Sequence, residues 1–179
     1  MDNNSQQSDS EKHDAGRVVN IDSKAILFVC LGNICRSPAA EGIMNSLVLN
    51  SEALVTIRIE SAGTGGYHDG KRPDARMRQA AEKRGYQLDS RAQTITKQDF
   101  HRFNLIIAMD RHNLRAIHAV GDSKPGQLRL LSDYLGDDWP TDVPDPYYGG
   151  EDGFEYVLDM LEAACPKILT ELISGNKMQ

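Results

Sequence analysis

The chain has 179 residues, enough for one domain with a substantial core, and nothing in its length argues for two. Its 26 acidic and 20 basic side chains leave a formal charge of -6, which disfavours nucleic acid as the main partner, because that binding depends on clustered Lys and Arg. Three cysteines without a Cys-x-x-Cys spacing fit neither a disulfide scaffold nor a zinc site, and favour a reducing, cytoplasmic setting.

The first 22 residues are rich in Asp, Glu, Asn, Gln and Ser and hold few apolar side chains. We therefore expect a disordered tail over 1–22 and a folded domain over 23–175. The tail has no apolar core of a secretory signal, and its acidic residues argue against a transit peptide. The longest uninterrupted apolar run, residues 25–31, is too short to span a bilayer, so we expect a soluble protein.

The first predicted element is a buried strand at residues 26–29, a short apolar run followed directly by a loop that contains Gly32. Ser37 and Pro38 form a typical helix start, because Ser can cap a helix and Pro at the first helical position loses no hydrogen bond. The pattern predicts a helix over residues 38–49.

The loop between this strand and this helix carries Cys30 and Arg36. Its backbone N–H groups and the partial positive charge of the helix N-terminus suit an oxyanion such as phosphate. The same field favours the thiolate form of Cys30, which is the nucleophilic form. The guanidinium of Arg36 can bind two phosphate oxygens, and Ser37 can donate to the sulfur. The Cys-to-Arg spacing alone is weak evidence, so the surrounding strand, glycine and helix start carry the prediction.

The rest of the chain alternates strands and helices. We predict strands at 54–59 (ending near Ser61), 105–109 and 128–131, and helices at 73–84, 97–102 and 110–120. Pro73 or Asp74 should start the first of these helices and Gly85 should close it, and Asp110 can cap the last. An amphipathic pattern over 154–172 predicts a closing helix, which Pro166 should kink or break near Ala163. Such alternation predicts an α/β domain with a parallel sheet covered by helices on both faces, in which ligands bind at the carboxyl ends of the strands.

A phosphoryl transfer to Cys30 needs a proton donor for the departing oxygen. Asp145 is the candidate, because it lies in the long loop 136–150 and precedes Pro146, which restrains the backbone. The chain has 26 acidic residues, most of which we expect on the solvated surface, so the pattern alone favours Asp145 only slightly.

The segment Val-Cys-Leu-Gly-Asn-Ile-Cys-Arg-Ser-Pro at 29–38 resembles the signature of the low molecular weight protein tyrosine phosphatases. The likeness continues in the family's order at 61–64, 73–74, 95–100, 109–110, 113–115 and 145–149, so it covers about residues 24–173. The resemblance implies a four-stranded sheet in the order 2-1-3-4. It also implies hydrolysis of phosphotyrosine and small aryl phosphates through a phosphocysteine on Cys30, with Asp145 as general acid and base, and without a cofactor or metal ion.

The resemblance further assigns the binding residues. It implies that phosphate is bound by the loop residues Leu31, Gly32, Asn33, Ile34 and Cys35, that the substrate ring meets Tyr67, Tyr147 and Tyr148, and that Asn33, Ser37 and Ser61 brace the loop. The family often has a His where this chain has Ser90, whose side chain cannot reach as far. Related arginine phosphatases have a smaller Thr where this chain has Ile34, which favours a phenyl phosphate. Phosphate and other oxyanions are expected to inhibit, and the protein is expected to be a monomer.

Several alternatives stay open from the sequence. Cys35 either forms a reversible protective disulfide with Cys30, by analogy with the family, or packs as a small apolar residue; Cys165 is expected in the core. The five histidines, at 13, 68, 101, 112 and 118, are expected at the surface. An arsenate reductase would need two further thiols, and residues 70–108 hold none. Cys30 and Asp145 argue against a phosphotyrosine-binding module without turnover.

Overall fold

The computed structural model describes residues 23–51 and 56–174, which form a four-stranded parallel sheet with helices on both faces. The strands are β1 (Lys24–Cys30), β2 (Ile57–Gly63), β3 (Leu105–Ala108) and β4 (Leu128–Leu130). Their order across the sheet is β2-β1-β3-β4, and each neighbouring pair is parallel. The predicted fold class and strand order are confirmed.

Five helices connect and follow the strands: α1 (Arg36–Leu49), α2 (Ala75–Lys83), α3 (Asp99–Arg102), α4 (Arg111–Val120) and α5 (Glu151–Ser174). The predicted helix starts at Asp74 and Asp110 are confirmed, because both side chains cap a helix: Asp74 accepts a hydrogen bond from the Arg76 amide and Asp110 from the Asn113 amide. Gly85, just after α2, has a φ of 86°, a left-handed conformation that a glycine adopts at no steric cost.

Strand β1 has two buried faces, and alternate residues enter different cores. Ile26, Phe28 and Cys30 pack against α1, α2 and α5, while Leu27 and Val29 pack on the other face with the apolar side chains of α3 and α4. Burial on both faces explains why this segment is an unbroken apolar run instead of an alternating one. Because β1 is an inner strand, its last residue, Cys30, lies among the carboxyl ends of the neighbouring strands.

The predicted start of the first helix and the predicted break at Pro166 were wrong, whereas a kink at Pro166 stays a prediction. Helix α1 begins at Arg36, not at Pro38, and Ser37 is buried in its first turn, where its hydroxyl contacts Cys30 and does not cap the helix. Helix α5 runs without a break through Pro166, whose side chain lies on the exposed face. The buried residues on both sides of Pro166, Cys165 and Ile168, keep the helix packed against the core, which offsets the lost backbone hydrogen bond.

Other predictions fall outside the described residues. The predicted tail at 1–22, the histidine at 13 and residues 54–55 of the second predicted strand lie there; the described part of that strand ends at Gly63, as expected. Within the described residues, no helix combines the length and the apolar character needed to cross a membrane.

Candidate active site

The candidate site lies where the carboxyl ends of β1 and β3 meet the N-termini of α1 and α4. Cys30 is the last residue of β1, and Asp110 follows β3 by two residues. Asp145 reaches the same edge of the sheet from the loop between β4 and α5. The parallel sheet therefore brings together three groups that are far apart in the chain.

The loop from Cys30 to Arg36 is arranged as an oxyanion site. Its carbonyl groups accept backbone hydrogen bonds from outside the loop, in the pairs Thr64 to Cys30, Gly65 to Leu31, Asp74 to Ile34 and Ala39 to Cys35. Among the described residues, the loop amides after Cys30 that donate no hydrogen bond within the protein are those of Leu31, Gly32, Ile34, Cys35 and Arg36. Unpaired amides beside a helix N-terminus are the donors that a phosphate requires.

The sulfur of Cys30 is buried and already has two polar neighbours. Its Sγ lies 3.0 Å from the hydroxyl of Ser37 and accepts a hydrogen bond from the Asn33 amide at 3.3 Å. Both contacts can stabilise negative charge on sulfur. The predicted role of Ser37 as a donor to the nucleophile is therefore geometrically possible.

Asn33 holds the loop in its shape. Its φ is 54°, a left-handed conformation that Asn tolerates better than most residues. Its Nδ2 donates to Ser37 Oγ at 2.9 Å and to Ser61 Oγ at 2.8 Å, and its Oδ1 accepts from the Gln93 amide at 2.9 Å. Both polar atoms of the Asn33 side chain, in three hydrogen bonds, thus fix the turn beneath Cys30.

The bracing network continues to Glu41 on α1, a residue that the sequence analysis missed. Ser61 Oγ donates to Glu41 Oε2 at 2.5 Å, and Ser90 also hydrogen-bonds to this carboxyl group. Burial raises the pKa of Glu41, while the hydrogen bonds from Ser61 and Ser90 oppose that effect. The structure thus links Glu41, Ser61, Asn33, Ser37 and Cys30 in one chain of hydrogen bonds.

Arg36 is buried in the same site and is held by two carboxylates. Its Nη1 contacts Asp110 Oδ2 at 2.6 Å and the Val143 carbonyl at 3.1 Å, and its Nη2 contacts Asp145 Oδ2 at 2.7 Å. Burial disfavours the charged guanidinium, but the negative charges of Cys30, Asp145 and Asp110 outweigh it and raise the pKa of Arg36. Arg36 therefore remains a cation while it is poised beside Cys30.

Asp145 is positioned from both sides. Its second oxygen accepts from the Tyr147 amide at 3.1 Å, within the short helical turn Pro146–Tyr148. That turn is tied to α2, since Arg76 donates to the Tyr147 carbonyl at 3.2 Å and its guanidinium lies 5.5 Å from the Tyr147 ring centre. The Asp145 side chain is 37% exposed, so it faces solvent and can exchange a proton.

These groups surround a pocket of about 310 Å³. The pocket has Cys30 and Arg36 among its lining residues and Asp145 at its side, and its remaining walls include the predicted residues Leu31, Gly32, Ile34, Cys35, Tyr67, Tyr147 and Tyr148. All three tyrosines are exposed, Tyr147 at 39%, Tyr67 at 75% and Tyr148 at 92%. The structure brings the predicted aromatic residues to one rim, with Asn33 and Ser61 behind the loop instead of in the pocket.

The three cysteines are free thiols in the structure. Cys35 is buried, and burial together with the nearby Asp74 and Cys30 raises its pKa well above the ordinary range. Cys165, on α5, lies in the hydrophobic core, as its position in the apolar pattern indicates. A disulfide between Cys30 and Cys35 remains a prediction.

Sequence reasoning missed two residues around the pocket besides Glu41. Asp110 was recognised only as a helix cap, yet it also binds Arg36; its place directly after a strand, like that of Cys30, was the available signal. His68 was assigned to the surface, but it is half-buried, lines the pocket and has its ring centre 6.5 Å from that of Tyr147. The other described histidines, at 101, 112 and 118, are exposed as expected.

Comparison with known proteins agrees with this geometry. Residues 25–177 match the family of low molecular weight phosphotyrosine protein phosphatases. A Synechocystis sp. protein, provisionally named as a low molecular weight protein-tyrosine-phosphatase, is 48% identical over 151 residues, which are 82% of this chain and 95% of that one.

Solved structures are similar as well. The crystal structure of a protein tyrosine phosphatase from Entamoeba histolytica, with Hepes in its active site, has a TM-score of 0.80 and 41% identity, and the match covers 85% of this chain and 98% of that one. A Drosophila arginine phosphatase has a TM-score of 0.76 and 30% identity, with 86% and 99% of the two chains covered.

Proposed function

The chain belongs to the low molecular weight phosphotyrosine protein phosphatase family and is a protein tyrosine phosphatase, and from this premise we propose that Cys30, Arg36, Ser37 and Asp145 are its catalytic residues. The observation that carries the proposal is the set of unpaired loop amides around a buried cysteine, with a buried arginine beside it. This arrangement offers a nucleophile and a tetrahedral oxyanion site at the same place.

The first step is a displacement at phosphorus. The Cys30 thiolate attacks the phosphorus atom of a phosphate monoester, the S–P bond forms, and the bond to the ester oxygen breaks. The loop amides and Arg36 bind the three remaining phosphate oxygens and stabilise their charge. Asp145, in its protonated form, gives its proton to the departing oxygen, so that the alcohol or phenol leaves neutral.

The second step reverses the role of the carboxyl group. Asp145, now ionised, takes a proton from water, the hydroxide oxygen attacks phosphorus, and the S–P bond breaks to release inorganic phosphate and the Cys30 thiolate. Ser37 is placed to stabilise this sulfur as it departs, since its hydroxyl lies 3.0 Å away. Arg36 and the amides supply the positive charge, so these two steps use no metal ion.

Substrate binding must change the partners of Arg36. In the structure Nη2 contacts Asp145, and a bound phosphate would compete for that nitrogen while Asp110 and Val143 continue to hold Nη1. We infer that phosphate binding frees Asp145 to act on the leaving group. Inorganic phosphate and similar oxyanions would occupy the same donors and inhibit.

An aryl phosphate is the substrate class that this pocket favours. Tyr147 and Tyr67 offer aromatic surface at the rim, and Ile34 adds an apolar wall. A phenyl ring packs against such surfaces, whereas a guanidinium phosphate would gain from a polar residue in the position of Ile34. Phosphotyrosine in proteins and small aryl phosphates are therefore the proposed substrates, and phosphoarginine is the contrasting one.

The test compares three substrates and three variants at mildly acidic pH, where the mechanism needs thiolate and carboxylic acid together. We expect hydrolysis of p-nitrophenyl phosphate and a phosphotyrosine peptide, little release from phosphoarginine, and no turnover in Cys30→Ser. Asp145→Asn should lose about 100-fold or more on phosphotyrosine, but less on p-nitrophenyl phosphate, whose phenolate leaves without a proton.

The controls separate chemistry from binding. Leu49→Gln changes an exposed residue at the end of α1 and should keep wild-type rates. Equal turnover by wild type and Cys30→Ser, or equal losses of Asp145→Asn on both aryl substrates, would refute the assigned roles. A cytoplasmic location, an acidic pH optimum and action as a monomer remain part of this proposal.

A further inference from the structure

A second pocket, of about 460 Å³, adjoins the catalytic pocket and shares Leu31, Arg36 and Asp145 with it. Its far wall is formed by the first two turns of α4. We call it the side pocket and define it by the residues Arg36, Arg111, His112, Arg115, Asp142 and Asp145. Because Asp145 borders both pockets, a group in the side pocket is close to the substrate phosphate.

The side pocket is lined by three Arg and three Asp side chains, but their charges are unevenly distributed, because two carboxylates bind Arg36 and one faces the two arginines of α4. Arg111 and Arg115 are four residues apart and therefore project from the same face of the helix. Arg111 donates to Asp142 Oδ2 from Nη2 at 2.6 Å and from Nε at 3.0 Å. The hydrogen bonds and charge of Arg111, with a further contribution from Arg115, hold the pKa of Asp142 below its ordinary value. Asp142 is therefore bound by Arg111, while Arg115 acts on it only through its charge.

The other acidic groups at this wall are already committed. Asp110 and Asp145 both bind Arg36. Arg115 is exposed and, within the part of the chain that the structure describes, forms no hydrogen bond or ion pair. His112 is exposed and lines the same wall. A free cation therefore faces a cavity that opens next to the reacting phosphate.

We propose that the side pocket binds an acidic side chain of the substrate, a Glu or Asp next to the phosphotyrosine, through Arg115 with help from Arg111. This inference rests on the proposed function and adds the class of sequence that the enzyme prefers. Neighbouring residues of an extended peptide are about 3.3–3.6 Å apart, so only residues near the phosphotyrosine can reach the side pocket. The opposite rim, with Tyr67 and Tyr147, is aromatic, so the preference for acid should hold on one side of the phosphotyrosine only.

The experiment uses phosphotyrosine peptides in which Glu replaces Gln at one of the three positions on either side. Wild type should prefer Glu by about two- to fivefold in kcat/KM at one or two of these positions, the range expected for an exposed ion pair. Arg115→Gln should remove this preference, and Arg115→Lys should keep most of it. Raising the ionic strength should weaken the preference in wild type, because salt screens exposed charges.

The matched control is Arg91→Gln. Arg91 is exposed, lies in the loop after α2 and lines none of the described pockets, so this variant changes the net charge equally without touching the side pocket. It should keep the Glu preference. All variants should hydrolyse p-nitrophenyl phosphate at the wild-type rate.

The outcomes separate this inference from the proposed function. Failure of wild type to hydrolyse p-nitrophenyl phosphate would refute the function itself. Normal hydrolysis without any Glu preference, or a preference that survives in Arg115→Gln or is lost equally in Arg91→Gln, would refute only the acidic subsite.

Discussion

Replacing Glu41 by Gln tests whether a residue behind the loop controls the nucleophile. A carboxylate can only accept hydrogen bonds, so the hydroxyl hydrogen of Ser61 must point to Glu41. Ser61 Oγ must then accept from Asn33, whose other amide hydrogen goes to Ser37. The hydroxyl hydrogen of Ser37 can then go to the sulfur of Cys30 at 3.0 Å or to the Ala62 carbonyl at 3.3 Å, and the sulfur is the closer acceptor. Glutamine can present either an oxygen or an NH2 group, so it no longer imposes this direction.

The size of the effect follows from the hydrogen bond that is weakened. The Ser61 to Glu41 contact is 2.5 Å long, as a charge-assisted hydrogen bond would be. Hydrogen bonds to charged groups contribute about 1.5–3 kcal/mol and neutral ones about 0.5–1.5 kcal/mol, so Glu41→Gln should lose about 1 kcal/mol. If all of this reaches the transition state, kcat falls about fivefold.

The assay is a double-mutant cycle on the kcat for p-nitrophenyl phosphate. Because Glu41 acts through Ser61, Glu41→Gln should add little to the loss already caused by Ser61→Ala. Glu41→Asp keeps the charge but is one methylene too short to hold Ser61, so it should also lose activity. Glu60→Gln is the matched control, since this neighbouring acid is not bonded to Ser61. Wild-type kcat in Glu41→Gln and Glu41→Asp, or additive losses in the cycle, would refute the argument.

Glu41→Gln should lower kcat but raise the free energy of unfolding relative to wild type as the pH rises. Burial raises the pKa of Glu41 in the folded chain, so the folded protein binds more protons than the unfolded one over the interval between the two pKa values. Stability from this group is therefore fully present below the unfolded pKa and is lost as the pH rises through the folded one. Urea unfolding should show Glu41→Gln gaining stability relative to wild type as the pH rises from 4 to 7. A difference that does not change with pH would contradict this explanation.

Three further predictions concern packing and ion pairs. Gly42→Ala should destabilise the protein by about 1–2 kcal/mol in urea unfolding, because its new Cβ would lie 2.9 Å from the Gln87 carbonyl oxygen. The control Gly153→Ala meets only ordinary van der Waals contacts and should not destabilise, so equal effects of the two variants would contradict this explanation. Arg84→Gln leaves the carboxylates of Glu155, Asp159 and Glu162 facing one another on α5. The free energy of unfolding should therefore fall by about 1–3 kcal/mol, and by less in high salt, whereas a loss that does not depend on salt would argue against charge repulsion. Asp110→Asn keeps the cap of α4 but removes the negative charge that holds Arg36, so kcat/KM should fall about tenfold while the melting temperature changes little. A large drop in melting temperature with normal kcat/KM would refute the role of Asp110 in positioning Arg36.

Local features of the sequence were sufficient for the order of elements and for part of the site. The apolar run before Cys30, the loop glycine and the helix start after it identified the loop that we propose carries the nucleophile. Asp74, Asp110 and Gly85 marked helix ends correctly. These features depend on sterics and hydrogen bonds within a few residues, which neighbouring positions in the chain are enough to specify.

The sequence by itself therefore determined the strand, loop and helix around Cys30, together with Asp145 as a candidate acid once the family likeness was considered. Only the tertiary structure decided how distant groups meet there. Arg36 binds Asp110 and Asp145, which are 74 and 109 residues away, and Glu41 reaches Cys30 only through Ser61 on the neighbouring strand. The physical reason is the order of the parallel strands, which places β2 and β3 on either side of β1 and so brings their carboxyl ends to one edge.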